Sequence, residues 1–367
     1  MTDFRPISLC NVVYKLISKV LGNHLKVILP QIISENQSEF LSGRLITDNV
    51  LVAFELMHYL EHKKEGKEGF VAIKLDMSKV YDRVEWDFIK QVMEKMGFHE
   101  KWVELIMHCI TFVSYSILVN GVAYGSITPT RGLRQGDPIS PYIFLLCVDG
   151  FSSLINDVAR NHRISGVSIC RGCPKITHLF FANNILLFCK ANSQECQNLI
   201  DILQLYEAAS GQKINADKSS VFFSNNTLDD RRSEVLNMLG PMQDTRHKKY
   251  LRLPLIIGKS KVKIFAEIKE RVERKLSGWK KKMLSVGGRE ILIKVFAQAI
   301  PTYTMSCFQI LKGLCDEMEA MMRKFWRGQK SKIVWVSWKK MCKSKLNGGM
   351  GFRNLQAFNL VKRGTRW

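Results

Sequence analysis

The chain has 367 residues, 46% hydrophobic and 24% charged, a composition that can bury two or three cores and excludes a disordered chain. Its net charge of +22 is uneven: residues 255–367 hold 26 Lys+Arg against 7 Asp+Glu, a net of +19. No run approaches the roughly 18 apolar residues of a membrane span, the first residues carry no apolar leader, and the ten cysteines are scattered, mostly in apolar runs that suit reduced core residues. A soluble intracellular protein is expected, with no membrane partner.

Residues 1–68 read as mainly helical. Val12, Val13, Leu16, Ile17, Val20 and Leu21 recur at helical spacing, and a second helix runs from Thr47 to about His62 before the polar loop Lys63–Gly69. From 69 to 254 strands alternate with helices. Phe70-Val-Ala-Ile-Lys-Leu-Asp76 is an apolar strand ending in a carboxylate, and Gly132-Leu-Arg-Gln-Gly-Asp-Pro-Ile-Ser-Pro141 is a loop opening a helix from about Tyr142 to Ala159. Cys170-Arg-Gly-Cys173 has half of a zinc spacing but no second pair nearby, so a loop between strands is expected. The segment Lys175–Cys189 sets two apolar runs around Asn183-Asn184, the pattern of a tight hairpin whose turn suits asparagine because that residue tolerates left-handed angles. Gln194–Ala209 follows as a helix with Leu199, Ile202, Leu203, Leu205, Tyr206 and Ala209 on one side.

Beyond residue 255 the pattern is helical and basic, with Gly287-Gly288 before a helix Arg289–Ala299 that Pro301 ends. Lys280, Lys281, Lys282, Arg323 and Lys324 are interleaved with Trp279, Phe325 and Trp326. Cations with aromatics between them suit nucleic acid, through phosphate neutralisation and stacking. Each tryptophan taken alone reads first as a core anchor; the charge of the whole segment points to the polyanion.

At Asp76 with Tyr81-Asp82, at Gly132–Pro141 and at Phe181-Ala-Asn-Asn184 the chain resembles the reverse transcriptase of plant-type LINE elements, the non-LTR retrotransposons. The resemblance continues through Gln37–Gly43 with Arg44, through Ser210–Ser219 and through Tyr250-Leu-Arg-Leu-Pro254, and it covers nearly the whole chain. It implies an α+β right-hand polymerase: helical fingers over 1–68, a palm of antiparallel strands with helices on one face over 69–254, and a helical basic thumb over 255–367. It implies RNA-directed DNA polymerisation with two Mg2+ ions, an RNA template with a DNA primer or an RNA/DNA hybrid, and deoxynucleoside triphosphates. Asp76 then matches the first metal-binding carboxylate, and Asn183 and Asn184 stand where the other two belong. Tyr81 matches the residue beside the 2′ side of the incoming sugar, Gln135 and Gly136 the loop against template and nucleotide. Arg44 matches a fingers residue near the triphosphate, and Lys218 a lysine that assists the pyrophosphate leaving group. Asp82 matches a structural residue of the strand-to-helix turn.

The departures carry as much information. Asn183-Asn184 replaces Asp-Asp, Arg252 stands where the family usually has glycine, Val80 where it usually has alanine, and Glu39 interrupts an apolar run. No endonuclease segment precedes Arg5-Pro6, and the end at Trp367 departs from the family's continuation. The expectation is a degenerate, truncated copy without polymerase activity. The alternative is a non-catalytic nucleic-acid-binding protein acting through its basic thumb.

Overall fold

The apolar runs at 70–76 and 184–190 pair as neighbouring strands at the centre of the first of two units, residues 1–251 and 252–367. The structure, a computed structural model, describes residues 7–244, 249–257, 260–280, 284–328 and 336–364. The strands of the first unit are β1 (Phe70–Asp76), β2 (Tyr115–Val119), β3 (Val122–Ile127), β4 (His178–Phe181), β5 (Asn184–Lys190), β6 (Ser220–Phe223) and β7 (Gln243–Asp244). Its helices are α1 (Val12–Ile32), α2 (Ile46–His62), α3 (Val80–Arg83), α4 (Trp86–Lys95), α5 (Glu100–Thr111), α6 (Ser140–Arg160), α7 (Ser193–Ser210) and α8 (Asp229–Leu239). One sheet runs β4-β5-β1-β6-β7, antiparallel except where β7 joins β6; β2 and β3 form a separate surface hairpin.

Alternation decides the faces of this α+β unit. Val71, Ile73 and Leu75 of β1, Ile185, Leu187 and Cys189 of β5, and Val221 and Phe223 of β6 enter one core with Ile89 and Met93 of α4, Phe144 and Phe151 of α6, and Ile202 and Tyr206 of α7. The helix α6 is long and apolar enough to cross a membrane by length and composition, yet most of its residues are buried in this core. The other parity, Ala72, Leu186 and Phe188, is buried too, and α2 lies against β4. A sheet covered on both sides explains why its central strands read as near-continuous apolar runs.

Three expectations change. In α1 the periodic set Val12, Val13, Leu16, Ile17 and Val20 faces outward, Val12 being 76% exposed, while Leu21, Leu25 and Leu29 are buried. Both stripes fit a helical period, and periodicity alone does not say which one docks. Cys170 and Cys173 do lie in a loop, between the bridged residues Val167 and Ile176, but they are joined as a disulfide and are not reduced. Finally, Gly287 and Gly288 lie inside a helix that starts earlier than expected.

The second unit comprises α9 (Lys261–Lys280), α10 (Val286–Leu292), α11 (Thr302–Met305), α12 (Lys312–Arg327), α13 (Trp338–Met341) and α14 (Leu355–Gly364). Ser285 caps α10, its Oγ accepting from Gly288 N–H at 3.1 Å, and the expected helical run continues with π geometry over Ile293–Ala297. Pro301 does not end that run; it caps α11 from the front, where a missing N–H costs nothing. Phe265, Ile268, Val272 and Leu276 of α9 are buried, as are Leu314, Met318, Met322 and Phe325 of α12, the helix that α9 packs against.

Leu251 and Arg252 have φ of +48° and +67°. The left-handed region costs an L-residue about 1–2 kcal/mol that glycine escapes. Arg252→Gly is expected to raise stability by about 1 kcal/mol, read as a higher urea midpoint at unchanged slope.

Candidate active site

The register of β1 with β5 runs from Phe70 opposite Lys190 to Asp76 opposite Asn184. Residues directly opposite on an antiparallel pair have Cβ atoms about 5 Å apart, so the carboxylate of Asp76 and the amide of Asn184 are cross-strand neighbours. Alternation places both on the parity of Ala72 and Lys74, away from the main core. Lys74, two residues below Asp76, donates to the Lys249 carbonyl at 3.1 Å; burial lowers its pKa, with the charge of Asp76 acting the other way.

The β4–β5 turn is shifted by one residue from the sequence reading. Phe181 pairs with Asn184, leaving Ala182-Asn183 as the two-residue turn, and the positive φ (+45°) falls on Ala182. The left-handed tolerance of asparagine is therefore not what permits this turn. The two amides bond to each other, Asn184 Nδ2 donating to Asn183 Oδ1 at 3.3 Å.

Three buried groups pin the turn. Gln37 Oε1 accepts from the N–H of Ala182 at 3.2 Å and of Glu39 at 3.0 Å. Asn49 Nδ2 donates to the Phe180 carbonyl at 3.0 Å, and its Oδ1 accepts from Tyr250 Oη–H at 2.9 Å. The Tyr250 hydroxyl also reaches the Asn184 carbonyl at 3.5 Å. Residues 36–38 extend along β4, with Phe180 donating to the Asn36 carbonyl and accepting from Ser38 N–H. Gln37 and Tyr250 belong to family motif segments and Asn49 to the helix expected from Thr47, but no local pattern signalled that they meet at the hairpin.

Arg44 holds that segment in place. Its guanidinium donates to the carbonyls of Pro30, Ile33, Ser34 and Gln37, at 2.5–3.3 Å. In this structure the fork of donors is spent on backbone. Lys218 is exposed at the end of a 3₁₀ turn, Ala216–Lys218, and the next residue, Ser219, accepts from Asp76 N–H through Oγ at 3.1 Å. Asp76, Asn183, Asn184 and the backbone of Lys218 thus gather at one end of the sheet.

The Gly132–Pro141 loop closes another side. Leu133 N–H donates to the Tyr81 carbonyl at 2.6 Å, and a Cβ on Gly132, at φ +93°, would lie 2.8 Å from the Asp82 oxygen, so only glycine fits. The Gln135 carbonyl accepts from Ser8 N–H at 2.8 Å, and Gly136 has φ +102°. Behind them Asp137 is buried, accepting from Tyr14 Oη at 2.7 Å and from Ser18 Oγ, and paired with Arg134 at 3.1 Å. Tyr81 rests on Phe144 with centroids 5.1 Å apart; burial and the nearby Glu39 push its phenol up to about 12. Burial pushes Glu39 itself up to about 7.

With this geometry, residues 1–264 match the profile described as reverse transcriptase (RNA-dependent DNA polymerase). The chain belongs to the reverse transcriptase family. It is 25% identical over 344 residues to the transposon TX1 uncharacterized 149 kDa protein of Xenopus laevis, covering 91% of this chain and 25% of that protein. It is 49% identical over 65 residues to an uncharacterized mitochondrial protein of Arabidopsis thaliana, covering 17% of this chain and 42% of that protein. A solved apo telomerase from Candida tropicalis aligns at 10% identity and a TM-score of 0.46, over 95% of this chain and 55% of that one. The chain is a reverse transcriptase domain of the non-LTR retrotransposon type, and it spans about a quarter of the length of the TX1 protein.

Reverse transcriptases use magnesium, which takes hard oxygen ligands and is held chiefly by charge. Of the three expected carboxylates only Asp76 is one here, and among the described residues no three His, Cys, Asp or Glu side chains converge to hold a metal. This donor set does not fit two divalent ions.

In the second unit, Arg323 and the exposed Lys324 lie on α12, and Trp326 meets Phe352 edge-on at 5.5 Å. Lys280 ends α9; Lys281 and Lys282 lie outside the described residues.

Removing the buried Asp137 takes the carboxylate partner from Arg134, Tyr14 and Ser18, leaving Arg134 and Tyr14 only the Cys109 carbonyl. Asp137→Ala is expected to cost about 3–5 kcal/mol in urea unfolding. The unfolded chain releases the Glu39 proton near 4.5 and the folded protein near 7, so stability is full below about 4.5 and is lost as pH rises towards 7. Glu39→Gln should therefore stabilise the protein more at pH 8 than at pH 5, as compared by urea midpoints.

Proposed function

We propose that this chain is the reverse transcriptase domain of a plant-type LINE element, a degenerate copy that has lost polymerase activity and keeps the capacity to bind nucleic acid. The observation that carries this reading is the pair Asp76 and Asn184 facing each other across β1 and β5, a carboxylate opposite an amide where the chemistry needs two acids. In-line phosphoryl transfer relies on two ions that stabilise the attacking and leaving oxygens. An amide oxygen brings no charge, and losing roughly 5 kcal/mol of transition-state stabilisation slows a reaction more than a thousandfold. The region around the turn supports inactivity by substitution and not by collapse, since its fixing bonds from Gln37, Asn49 and Tyr250 use backbone and amide groups. Tyr81, Gln135, Gly136, Arg44 and Lys218 are, in this reading, remnants of the nucleotide site.

Primer extension tests it. On a primed homopolymer RNA with dNTPs and Mg2+, the chain should give no product, and Asn183→Asp with Asn184→Asp should recover metal binding and at least trace extension. Extension by the unaltered chain, abolished by Asp76→Ala, would refute the reading.

A second reading, a binding protein acting through its last third, is favoured by the +19 net charge of residues 255–367. Binding to RNA or an RNA/DNA hybrid should then show little sequence preference and fall steeply with salt. A footprint of about 6 phosphates gives a slope of log K against log salt near −4 to −5. A flat response between low and physiological salt would show those cations to be only a solvated face.

A further inference from the structure

The exposed flank of α9 has its own geometry, apart from the family motifs. Arg271, Lys275 and Trp279 follow at four-residue steps, with Arg274 and Gly278 beside them, so all five share one side of the helix. With Ile300 they line a cleft of about 450 Å³. The buried stripe Phe265, Ile268, Val272 and Leu276 lies on the adjoining face, on whose border Trp279 sits, and the three cations are exposed. None of the three makes an ion pair or hydrogen bond among the described residues, whereas the neighbouring Lys269 is engaged by Glu317 at 2.5 Å. Trp279 is half buried, its ring braced by Phe296 and Phe325 at centroid distances of 5.7 and 6.1 Å. A Cβ on Gly278 would meet nothing within 4 Å, so the space beside Gly278 is open.

We propose that this cleft binds one unpaired nucleotide of a single-stranded nucleic acid, with its phosphates on Arg271, Arg274 and Lys275 and its base against Trp279. The inference rests on the nucleic-acid reading of the last third and goes further by choosing the form of the strand. Guanidinium forks match phosphate oxygens bidentately, and an immobilised indole offers a stacking surface without the entropic cost of fixing it first. A duplex satisfies only the cations, because its bases are paired and stacked inside. An unpaired nucleotide satisfies cations and ring together, and the cleft falls within the size range of small-ligand sites. Among the described residues its lining has no amide or hydroxyl side chain, and its cations are taken up by phosphate in this reading, so RNA and DNA single strands of any sequence should bind alike.

The test measures fluorescence anisotropy of the full chain with a labelled oligouridylate, the matching oligothymidylate and a blunt duplex of the same length. Trp279→Ala should weaken both single strands about tenfold, the scale of one base–aromatic stack, and the duplex less than about twofold. Trp279→Phe should retain most of the affinity. Arg274→Gln with Lys275→Gln, which leaves the buried stripe intact, should lower the single-strand salt slope by about 2. Should Trp279→Ala unfold the second unit, the phenylalanine and double-glutamine variants decide. If the unaltered chain binds no strand at all, the nucleic-acid reading fails and this inference with it. If it binds but these variants leave single-strand affinity unchanged, or weaken strand and duplex equally, only the cleft assignment is overturned.

Discussion

The antiparallel register of β1 and β5 is the constraint on which the rest of the first unit depends. It sets Asp76 opposite Asn184, and it sends Val71, Ile73, Leu75, Ile185, Leu187 and Cys189 together into the core with α4, α6 and α7. A slip of one residue would exchange the faces of a strand, moving its core residues to the site and its site residue into the core. The same pairing that buries the apolar surface therefore aims the candidate catalytic groups, and stability and site geometry are one arrangement.

That coupling does not depend on charge at the hairpin tip. The hairpin tip is held by Gln37, Asn49 and Tyr250, all of which bond to backbone or to one another. None of these bonds uses a charge at 183 or 184. Three convergent carboxylates would repel one another until a metal neutralises them, so exchanging two for amides relieves a local cost while removing the ion's binding energy. Amides at these two positions are mild for folding and bring no charge to a cation. Lys74 is the nearby cation on the face of Asp76.

The second unit divides its labour differently. In α9 and α12 the apolar stripes build the interior while the cations stay outside, so charge on this surface can change without touching the packing. The aromatics serve both sides. Trp326 and Trp338 are spent on Phe352 within the unit, while Trp279 is braced on one flank and borders the cationic cleft on the other.

The sequence by itself determined the strand ending at Asp76, the hairpin, the helices α2, α6 and α7, the family, and the asparagines at 183 and 184, because each is written in contiguous residues with a clear period or motif. It also marked Arg252 as standing where the family usually has glycine, and the backbone there has positive φ. Tertiary structure decided what depends on pairing between distant segments. It moved the turn to Ala182-Asn183, faced the outer stripe of α1 to solvent, closed Cys170 onto Cys173, and gave the guanidinium of Arg44 four carbonyls of its own loop. Local spacing fixes which residues share a face. Only packing and register fix what that face meets.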